Sequence, residues 1–258
     1  MSLSLAYFFY KDLQKHLDFM ELEYFEEAVE YLLSRPEAIP DRCGVVAICL
    51  GASYALAMGT FIDKVKAVFL INAPSAVYSS KILKNGEQIV DAFPPSSKHM
   101  TFDDQDRARL NPEMAKEWMY NSKYKIPIEL SSPDTFYSFN VGEDDSFLAP
   151  IGAAVLTEKL DKAGMRRNYE YELYKGAGHI IEPPYSARVD HVYQNTWPKD
   201  EEGHRGPADG IIFYWGGNAK SDSAAQISTW NKMKKFLMNR VRDNSEWYQN
   251  YLKQFTMK

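Results

Sequence analysis

Short apolar runs alternate along the chain with stripes of apolar residues at helical spacing. The runs end at turn-forming residues and have the length of buried strands; they cover 3–10, 44–48, 65–71, 135–141 and 169–174. The stripes predict amphipathic helices and comprise Phe25, Ala28, Val29, Leu32 and Leu33; Ile151, Ala154, Val155 and Leu160; and Ile227, Trp230, Met233 and Leu237. Another helix is predicted from the turn at residue 49 to about Thr60. Strands alternating with helices predict an α/β fold, a mostly parallel sheet with helices on both faces.

Several helix ends carry their own signals. Asp18 is predicted to cap the first helix, with Glu21 three residues later completing a capping box. Pro36 ends that helix, because the residue before a proline avoids the helical backbone region. Pro150 begins the helix that contains Val155.

Two segments depart from this alternation. Residues 75–130 are rich in turn signals, with a short helix predicted at 114–120. An irregular insertion of this length within a compact domain is typical of a lid or pocket wall. Residues 190–210 are polar and predict a mobile loop. With both segments included, the chain is expected to form a single domain over 1–258.

Composition narrows the class of protein. Of the 258 residues, 45% are hydrophobic and 25% are charged, a globular balance that argues against disorder. A net charge of −5 without a basic block argues against nucleic-acid binding. No apolar run approaches the ~20 residues of a membrane span, and the first residues lack the basic start of a signal peptide. Residues 255–258 are not a Ser-Lys-Leu-type signal, so the cytoplasm is the expected location, with the peroxisome left open.

The two cysteines, Cys43 and Cys49, lie on either side of one predicted strand. A disulfide between them would bend that strand back on itself, so reduced thiols in an intracellular setting are expected. No Cys/His cluster has the spacing of metal ligands. We therefore expect neither a metal site nor a bound cofactor.

Cys49 occupies the most informative position in the chain. It follows the strand 44–48 directly and precedes Gly51 and a helical pattern, which predicts strand, tight turn and helix. This is the layout of a nucleophile elbow, small-x-nucleophile-x-Gly, with Ala47 as the first small residue. The N-terminus of the new helix favours a thiolate. The alternative interpretation is an inert cysteine buried in the core.

Two later strands also end in residues that carry chemistry. Glu143, Asp144 and Asp145 follow one strand, and His179 follows another within a glycine-flanked loop. The order nucleophile, acid, histidine is that of α/β-hydrolases, and parallel strands place their carboxyl ends at one edge. The histidine would take the thiol proton and later activate water or an amine, while the carboxylate orients the ring. The spacing alone leaves the choice among the three acids open.

Other interpretations of the candidate residues stay open, including a different nucleophile and purely structural roles. Ser53 is an alternative nucleophile, although it falls inside the predicted helix. Cys43 fits a packing role, and the acidic run fits a solvated turn. The remaining histidines lack a strand-to-glycine context and are expected to be solvated: His16, His99, His191 and His204.

The chain resembles the C-terminal α/β-hydrolase domain of acyl-CoA thioesterases and bile acid-CoA:amino acid N-acyltransferases. The similar stretches span nearly the whole chain: 22–28 with 31–33, the turn at Cys49, 65–68 with 71–72, 126–129, 141–145, 176–179 with 181–185, 215–217, and 225–226 with Trp230. The block from Gly176 to Tyr185 is the most specific of these stretches. The resemblance implies a catalytic triad of Cys49, Asp145 and His179, because the family's acid is the last residue of its Gly-Glu-x-Asp motif.

The resemblance also implies a function: hydrolysis of acyl-CoA thioesters, or transfer of the acyl group to an amino acid such as glycine or taurine. Coenzyme A would then be part of the substrate. A cysteine nucleophile is typical of the N-acyltransferases and a serine of the thioesterases, so Cys49 favours transfer without excluding hydrolysis. Two other functions stay open: a weakly active or non-catalytic protein that binds acyl chains or a partner, and a cysteine hydrolase similar to dienelactone hydrolase.

Two departures from the family pattern affect these expectations. The family's N-terminal β-sandwich domain is expected to be absent, and the chain begins several strands into the hydrolase domain. One of those strands is followed by the loop that supplies half of the family's oxyanion hole, so the backbone N–H of Leu50 is the donor expected here. Low activity and an exposed edge beside the strand 44–48 are therefore predicted.

Overall fold

The computed structural model describes residues 1–8, 10–14, 18–78, 80–93, 99–194 and 210–241. The helices are α1 (Leu22–Leu33), α2 (Leu50–Phe61), α3 (Pro112–Met119), α4 (Ala149–Lys162) and α5 (Ala219–Arg240). The strands are β1 (Phe19–Glu21), β2 (Cys43–Ile48), β3 (Val65–Ile71), β4 (Lys81–Lys84), β5 (Glu87–Val90), β6 (Met100–Phe102), β7 (Arg107–Leu110), β8 (Phe136–Gly142), β9 (Tyr169–Tyr174), β10 (His191–Gln194) and β11 (Ile211–Tyr214).

Four parallel strands in the order β2-β3-β8-β9 form the central sheet. Residues of α1, α2 and α4 pack on one face of this sheet, and residues of α5 pack on the other. The predicted α/β-hydrolase-like class, with helices on both faces of a parallel sheet, is confirmed. All four strands end at the same edge, so the turn after β2 and the loops after β8 and β9 lie near one another.

Buried apolar runs form this sheet as the pattern predicts. The strands predicted at 44–48, 65–71, 135–141 and 169–174 match the observed ones to within one residue. Six of the seven residues of β3 are buried, because neighbouring strands flank it on both sides and helices cover both its faces. Such strands satisfy their backbone groups within the sheet while their side chains fill two cores.

The strand predicted at 3–10 is wrong. Within the described residues of this segment the backbone has no regular structure, and Leu3 and Tyr10 are 41% and 54% exposed. Tyr7 packs the edge of its ring against Tyr54 of α2 instead of entering the sheet. An aromatic run can thus be held by ring contacts without any pairing of its backbone.

The capping box at Asp18 and Glu21 is also wrong. Glu21 is itself the N-cap residue of α1, and its side chain makes no capping hydrogen bond. The preceding residues form β1, which pairs in parallel with β4, and the Asp18 carbonyl accepts the Lys81 N–H at 3.2 Å. The chain enters α1 from a strand, so Asp18 takes part in a sheet rather than a cap.

Two predicted helix faces are confirmed in part: Val155 and Leu160 are buried, and Met233 and Leu237 pack against a buried cluster. One residue of each predicted face is exposed. Ala154 of α4 is exposed, while Ala153 and Leu156 are buried. Ile227 of α5 is 44% exposed, and the buried side chains of that helix are Asp222, Ala225, Gln226, Thr229 and Phe236. Much of the buried face of α5 is small or polar, so large apolar residues alone identify only part of it. Among the described residues, no helix is long and apolar enough to cross a membrane.

The insertion at 75–130 is not irregular. It contains β4 to β7 and α3, which begins and ends close to the helix predicted at 114–120. β4 lies between β1 and β5 in a three-stranded sheet, and β7 lies between β11 and β6 in a four-stranded sheet. These strands have three or four residues each, too few for a clear periodic signal.

The loop predicted at 190–210 is partly a strand. β10 pairs antiparallel with β11, a strand that the pattern of residues did not predict. Residues 195–209 lie outside the described part of the chain. β11 then joins β7 of the insertion, so the C-terminal third of the chain and the insertion share one sheet.

Candidate active site

Cys49 lies in the turn between β2 and α2. Its φ of 55° and ψ of −126° place a non-glycine residue at positive φ, a strained conformation that costs about 1–3 kcal/mol. The turn is held by hydrogen bonds from the Cys49 N–H to the Ile71 carbonyl (3.1 Å) and from the Ala52 N–H to the Cys49 carbonyl (2.9 Å). The side chain stays partly exposed at the N-terminus of α2, where the first backbone N–H groups lack helical partners. Leu50 carries the first of those N–H groups.

The alternative nucleophiles occupy different surroundings. Cys43 is buried, and its burial raises the pKa of the thiol to about 11, so it stays protonated and packs in the core. Ser53 is buried within α2, and its hydroxyl has no hydrogen-bond partner among the described residues. Both cysteines are free thiols, as the sequence predicts. Cys49 combines exposure with a strained turn, and Cys43 and Ser53 have neither.

The three consecutive acids after β8 have three different partners. The Glu143 carboxylate accepts the N–H of Gly176 at 2.9 Å. The Asp144 carboxylate accepts the N–H of Gly217 at 2.8 Å and lies 3.4 Å from the Arg109 guanidinium. The carboxylate oxygens of Asp145 both lie 2.9 Å from Nδ1 of His179, and one of them accepts the Phe147 N–H at 2.6 Å.

His179 is held in place by two aromatic rings that also contact each other, with the centroids of Phe147 and Trp215 5.1 Å apart. The ring stacks on Trp215 at 4.9 Å between centroids and lies 5.0 Å from the ring of Phe147. The His179 backbone N–H donates to the Trp215 carbonyl at 2.8 Å. His179 is 2% exposed and Asp145 4%, so water competes little for their interaction.

The surroundings of His179 change its proton affinity. Burial acts to lower the pKa of the ring, but the charges of Asp145 and Cys49 prevail, and the pKa lies well above its ordinary value. The second ring nitrogen, Nε2, makes no full hydrogen bond within the described part of the chain. Asp145 occupies Nδ1, so Cys49 interacts with the ring from the Nε2 side. The arrangement favours the charged, imidazolium form of His179.

Asn72 ties the loops of the site together and was not singled out from the sequence. It follows β3 at a φ of 48°. Its side-chain amide donates to the carbonyls of Gly178 (3.1 Å) and His179 (2.6 Å), and its oxygen accepts the Gly142 N–H at 2.7 Å. A polar residue directly after a central strand is the sequence signal that points to this position.

Asp222 supports the same loop from the other side. This buried carboxylate of α5 accepts the Gly178 N–H at 2.9 Å and the Arg188 Nε–H at 2.8 Å. No pattern in the sequence indicates this contact, since 44 residues separate Asp222 from Gly178. Asn72 and Asp222 therefore hold the loop at Gly178 and His179, while Glu143 holds it at Gly176.

Two tyrosines flank Cys49. Burial raises the pKa of Tyr7, and the charge of Cys49 raises it further. Burial also raises the pKa of Tyr78 well above its ordinary value, with added effects from Asp145 and Cys49. The Tyr78 hydroxyl is buried and has no hydrogen-bond partner among the described residues.

The structure thus brings Cys49, Asp145 and His179 together at the carboxyl edge of the sheet, with Leu50 next to Cys49. His191 is exposed and pairs with Asp190 at 2.7 Å, and the His99 ring contacts Phe93 instead of being fully solvated. His16 and His204 lie outside the described residues. Within the described residues, no group of three or more His, Cys, Asp or Glu side chains has the arrangement of a metal site.

Comparison with known proteins places this site in a family. The family model described as "BAAT / Acyl-CoA thioester hydrolase C terminal" matches residues 20–243. The chain belongs to this family. The match contains Cys49, Asp145 and His179, and also Asn72 and Asp222.

Named relatives include both kinds of enzyme in the family. The chain is 32% identical over 237 residues to "Bile acid-CoA:amino acid N-acyltransferase" of Mus musculus, covering 92% of this chain and 53% of the relative. It is 30% identical over 247 residues to "Acyl-coenzyme A thioesterase 2, mitochondrial" of Mus musculus, covering 94% and 50%. The human N-acyltransferase is 30% identical over 241 residues, covering 92% and 52%. The chain spans about half the length of these relatives.

Proposed function

We propose that the chain catalyses acyl transfer from acyl-CoA thioesters through an acyl-cysteine intermediate on Cys49. The observation that carries this proposal is a partly exposed cysteine in a strained strand-to-helix turn, beside a buried His179 that Asp145 orients. The names of the relatives describe two reactions. One relative transfers an acyl group from bile acid-CoA to an amino acid, and the other hydrolyses acyl-CoA thioesters.

The proposed reaction has two halves. In the first, the Cys49 proton passes to Nε2 of His179, and the thiolate attacks the thioester carbonyl carbon. The C–S bond to coenzyme A breaks, and the leaving thiolate takes the proton from His179. In the second half, His179 removes a proton from water or from an amine, which attacks the acyl-cysteine and restores the Cys49 thiol.

The side chains around the reacting atoms have separate tasks. The Asp145 carboxylate holds the His179 ring through Nδ1 and stabilises its charged form. The N–H of Leu50, at the start of α2, faces the position where the carbonyl oxygen develops charge. Coenzyme A enters as part of the substrate, and each step uses groups of this chain.

A cluster of aromatic side chains lies beside the site. Aromatic residues of the insertion 75–130 cluster there, with Phe93 stacked on Trp118 at 4.3 Å between centroids and Tyr78 against Trp118 at 5.2 Å. Phe147, which contacts His179, packs against the same cluster. We propose that this insertion acts as the lid of a single domain and that the acyl chain lies along its aromatic side chains.

The fate of the acyl group distinguishes transfer from hydrolysis. We propose transfer to an amino acid such as glycine or taurine as the main reaction, since a thioester of cysteine reacts readily with amines. Hydrolysis is then the slower outcome when no acceptor is present. Both outcomes pass through the same acyl-cysteine.

The test is intact-mass spectrometry after incubation with an acyl-CoA. The wild-type chain is expected to gain one acyl group, at Cys49, while Cys49→Ala gains none and loses turnover. Cys43→Ala, which removes the buried thiol, is the matched control and should acylate like the wild type. Added glycine or taurine should discharge the acyl group faster than water.

Three results would contradict the proposal. Acylation of Cys49→Ala would place the nucleophile elsewhere, and absence of any acylated wild-type protein would favour an acyl-chain-binding role. Turnover of lactones without coenzyme A would favour a hydrolase similar to dienelactone hydrolase.

Cys49→Ser should raise the ratio of hydrolysis to transfer.

A further inference from the structure

The N-terminal segment lies across the beginning of α2, although it forms no strand. The hydroxyl of Tyr24 donates a hydrogen bond to the Ala6 carbonyl and so holds the segment against α1. The ring of Tyr7 meets the ring of Tyr54 edge to face, with centroids 5.2 Å apart. Leu5 and Tyr7 both pack against the core under the central sheet. These contacts fix the position of the Tyr7 side chain.

The Tyr7 hydroxyl reaches the elbow itself. A Cβ atom added to Gly51 would lie 3.5 Å from this oxygen, so the hydroxyl borders the first turn of α2. Cys49 and Leu50 are the two residues before Gly51. Burial and the neighbouring Cys49 raise the pKa of Tyr7, so the hydroxyl keeps its proton at neutral pH and can donate it to a hydrogen bond.

A tetrahedral intermediate on Cys49 requires such a donor. Its oxyanion forms next to the first turn of α2, where the Leu50 N–H is a backbone donor. Oxyanion sites use hydroxyl and amide side chains as well as backbone N–H groups. The hydroxyl of Tyr7 is placed beside the same turn.

Tyr78 is the other tyrosine near Cys49, and it fits this task less well. Its hydroxyl has almost no accessible surface, so an oxygen of a bound substrate cannot reach it without a rearrangement. Its larger electrostatic interaction is with Asp145, and that with Cys49 is the smaller. Tyr78 therefore belongs to the surroundings of the Asp145–His179 pair.

We propose that the Tyr7 hydroxyl is the second donor of the oxyanion hole, acting with the Leu50 N–H on the carbonyl oxygen of the acyl group. The inference rests on the proposed acyl-cysteine chemistry. It assigns a catalytic role to a residue that precedes the family match at 20–243. The acyl carbonyl oxygen would accept one hydrogen bond from each group as it gains charge.

The experiment compares two reactions of Cys49 in Tyr7→Phe. This change removes one oxygen and keeps the ring against Tyr54. Acylation by an acyl-CoA, followed in a single turnover, should slow at least tenfold, since loss of one oxyanion donor typically lowers rates by about 10²–10³. Alkylation by iodoacetamide should keep its rate, because displacement of iodide at a saturated carbon creates no oxyanion. Tyr10→Phe, an exposed tyrosine of the same segment, is the matched control for both reactions.

A second measurement covers equilibrium binding. An alkyl trifluoromethyl ketone forms a hemithioketal with Cys49, and the oxygen of this adduct carries the charge. Tyr7→Phe should weaken binding of the ketone tenfold or more. Unchanged acylation and ketone binding in Tyr7→Phe would overturn the inference. Equal slowing of acylation and alkylation would also overturn it, because Tyr7 would then act on the thiol. If wild-type Cys49 alkylates but does not acylate, the proposed function fails and the inference fails with it.

Discussion

At the scale of single residues, the acidic run after β8 shows how neighbours in sequence acquire different tasks. The Glu143 side chain closes the turn at Gly176, and the Asp144 side chain holds Gly217. Asp145 faces Nδ1 of His179. Asp144 and Asp145 therefore offer two variants with the same change of charge and different expected effects.

Asp145→Asn should lower the pKa of His179, because the carboxylate that favours the imidazolium is replaced by a neutral amide. Turnover should fall by about 10³–10⁴, since an amide also favours the wrong tautomer of the ring. An NMR titration of the His179 ring and steady-state kinetics measure the two effects. Asp144→Asn is the control and should change the pKa of His179 and the turnover rate only slightly. If turnover falls equally in both variants, Asp145 has no special role at the site.

The raised pKa of His179 also makes the stability of the fold depend on pH. The pKa of His179 in the folded protein lies above the value of about 6.5 in an unfolded chain. The bound proton therefore stabilises the fold fully below about pH 6.5, and this contribution is lost as the pH rises through the folded-state pKa. Asp145→Asn should weaken this pH dependence, as urea unfolding at several pH values would detect.

At the scale of elements, glycine sets the distance between α2 and the central sheet. A Cβ on Gly59 would lie 2.5 Å from Cγ2 of Val68 in β3 and 2.9 Å from the hydroxyl of Tyr137 in β8. The Tyr137 hydroxyl in turn pairs with the Ser131 hydroxyl at 2.6 Å. The close contact allows α2 to begin at the edge of the sheet, where Cys49 is presented.

Gly59→Ala should lower the free energy of unfolding by about 1–3 kcal/mol, the usual effect of overpacking a core. Alanine favours the helix by about 1 kcal/mol, so a net loss would show that packing prevails. Gly51→Ala in the same helix meets ordinary contacts of 3.5 and 3.8 Å and should stay within about 1 kcal/mol of the wild type. Urea unfolding measures both; equal stability of the two variants would contradict the packing argument.

At the scale of the whole molecule, the site depends on contacts between distant parts of the chain. Asp222 of α5 holds the Gly178 N–H and the guanidinium of Arg188. Arg188 also donates to the carbonyls of Gly216 and Gly217, which lie beside Asp144. One buried carboxylate thereby joins the last helix, the His179 loop and the acidic turn.

Asp222→Ala should lower the free energy of unfolding by about 1–3 kcal/mol, because the buried Gly178 N–H loses its acceptor. Turnover should fall further than stability explains, since His179 follows Gly178 directly. Asp190→Ala removes the more exposed carboxylate partner of Arg188 and should cost less than about 1 kcal/mol. Thermal unfolding and single-turnover acylation together test this; full activity in Asp222→Ala would show that the His179 loop keeps its position without Asp222.

The sequence by itself determined the features that depend on neighbouring residues. Apolar runs and glycines predicted the four strands of the central sheet and the turn that presents Cys49. These features follow from backbone geometry and side-chain periodicity within a few residues, so they can be identified without the fold. By spacing alone, each of the three acids after β8 could be the partner of the histidine. The resemblance to the family selected Asp145.

Only the tertiary structure decided which distant groups meet. It placed the side chain of Asp222 at Gly178, 44 residues away, and the side-chain amide of Asn72 at the carbonyl of His179, 107 residues away. It also turned the segment predicted as a strand at 3–10 into a support for Tyr7 beside the elbow. Such contacts depend on where helices and loops pack in space, and this packing buries surface contributed by the whole chain rather than by any one stretch of it.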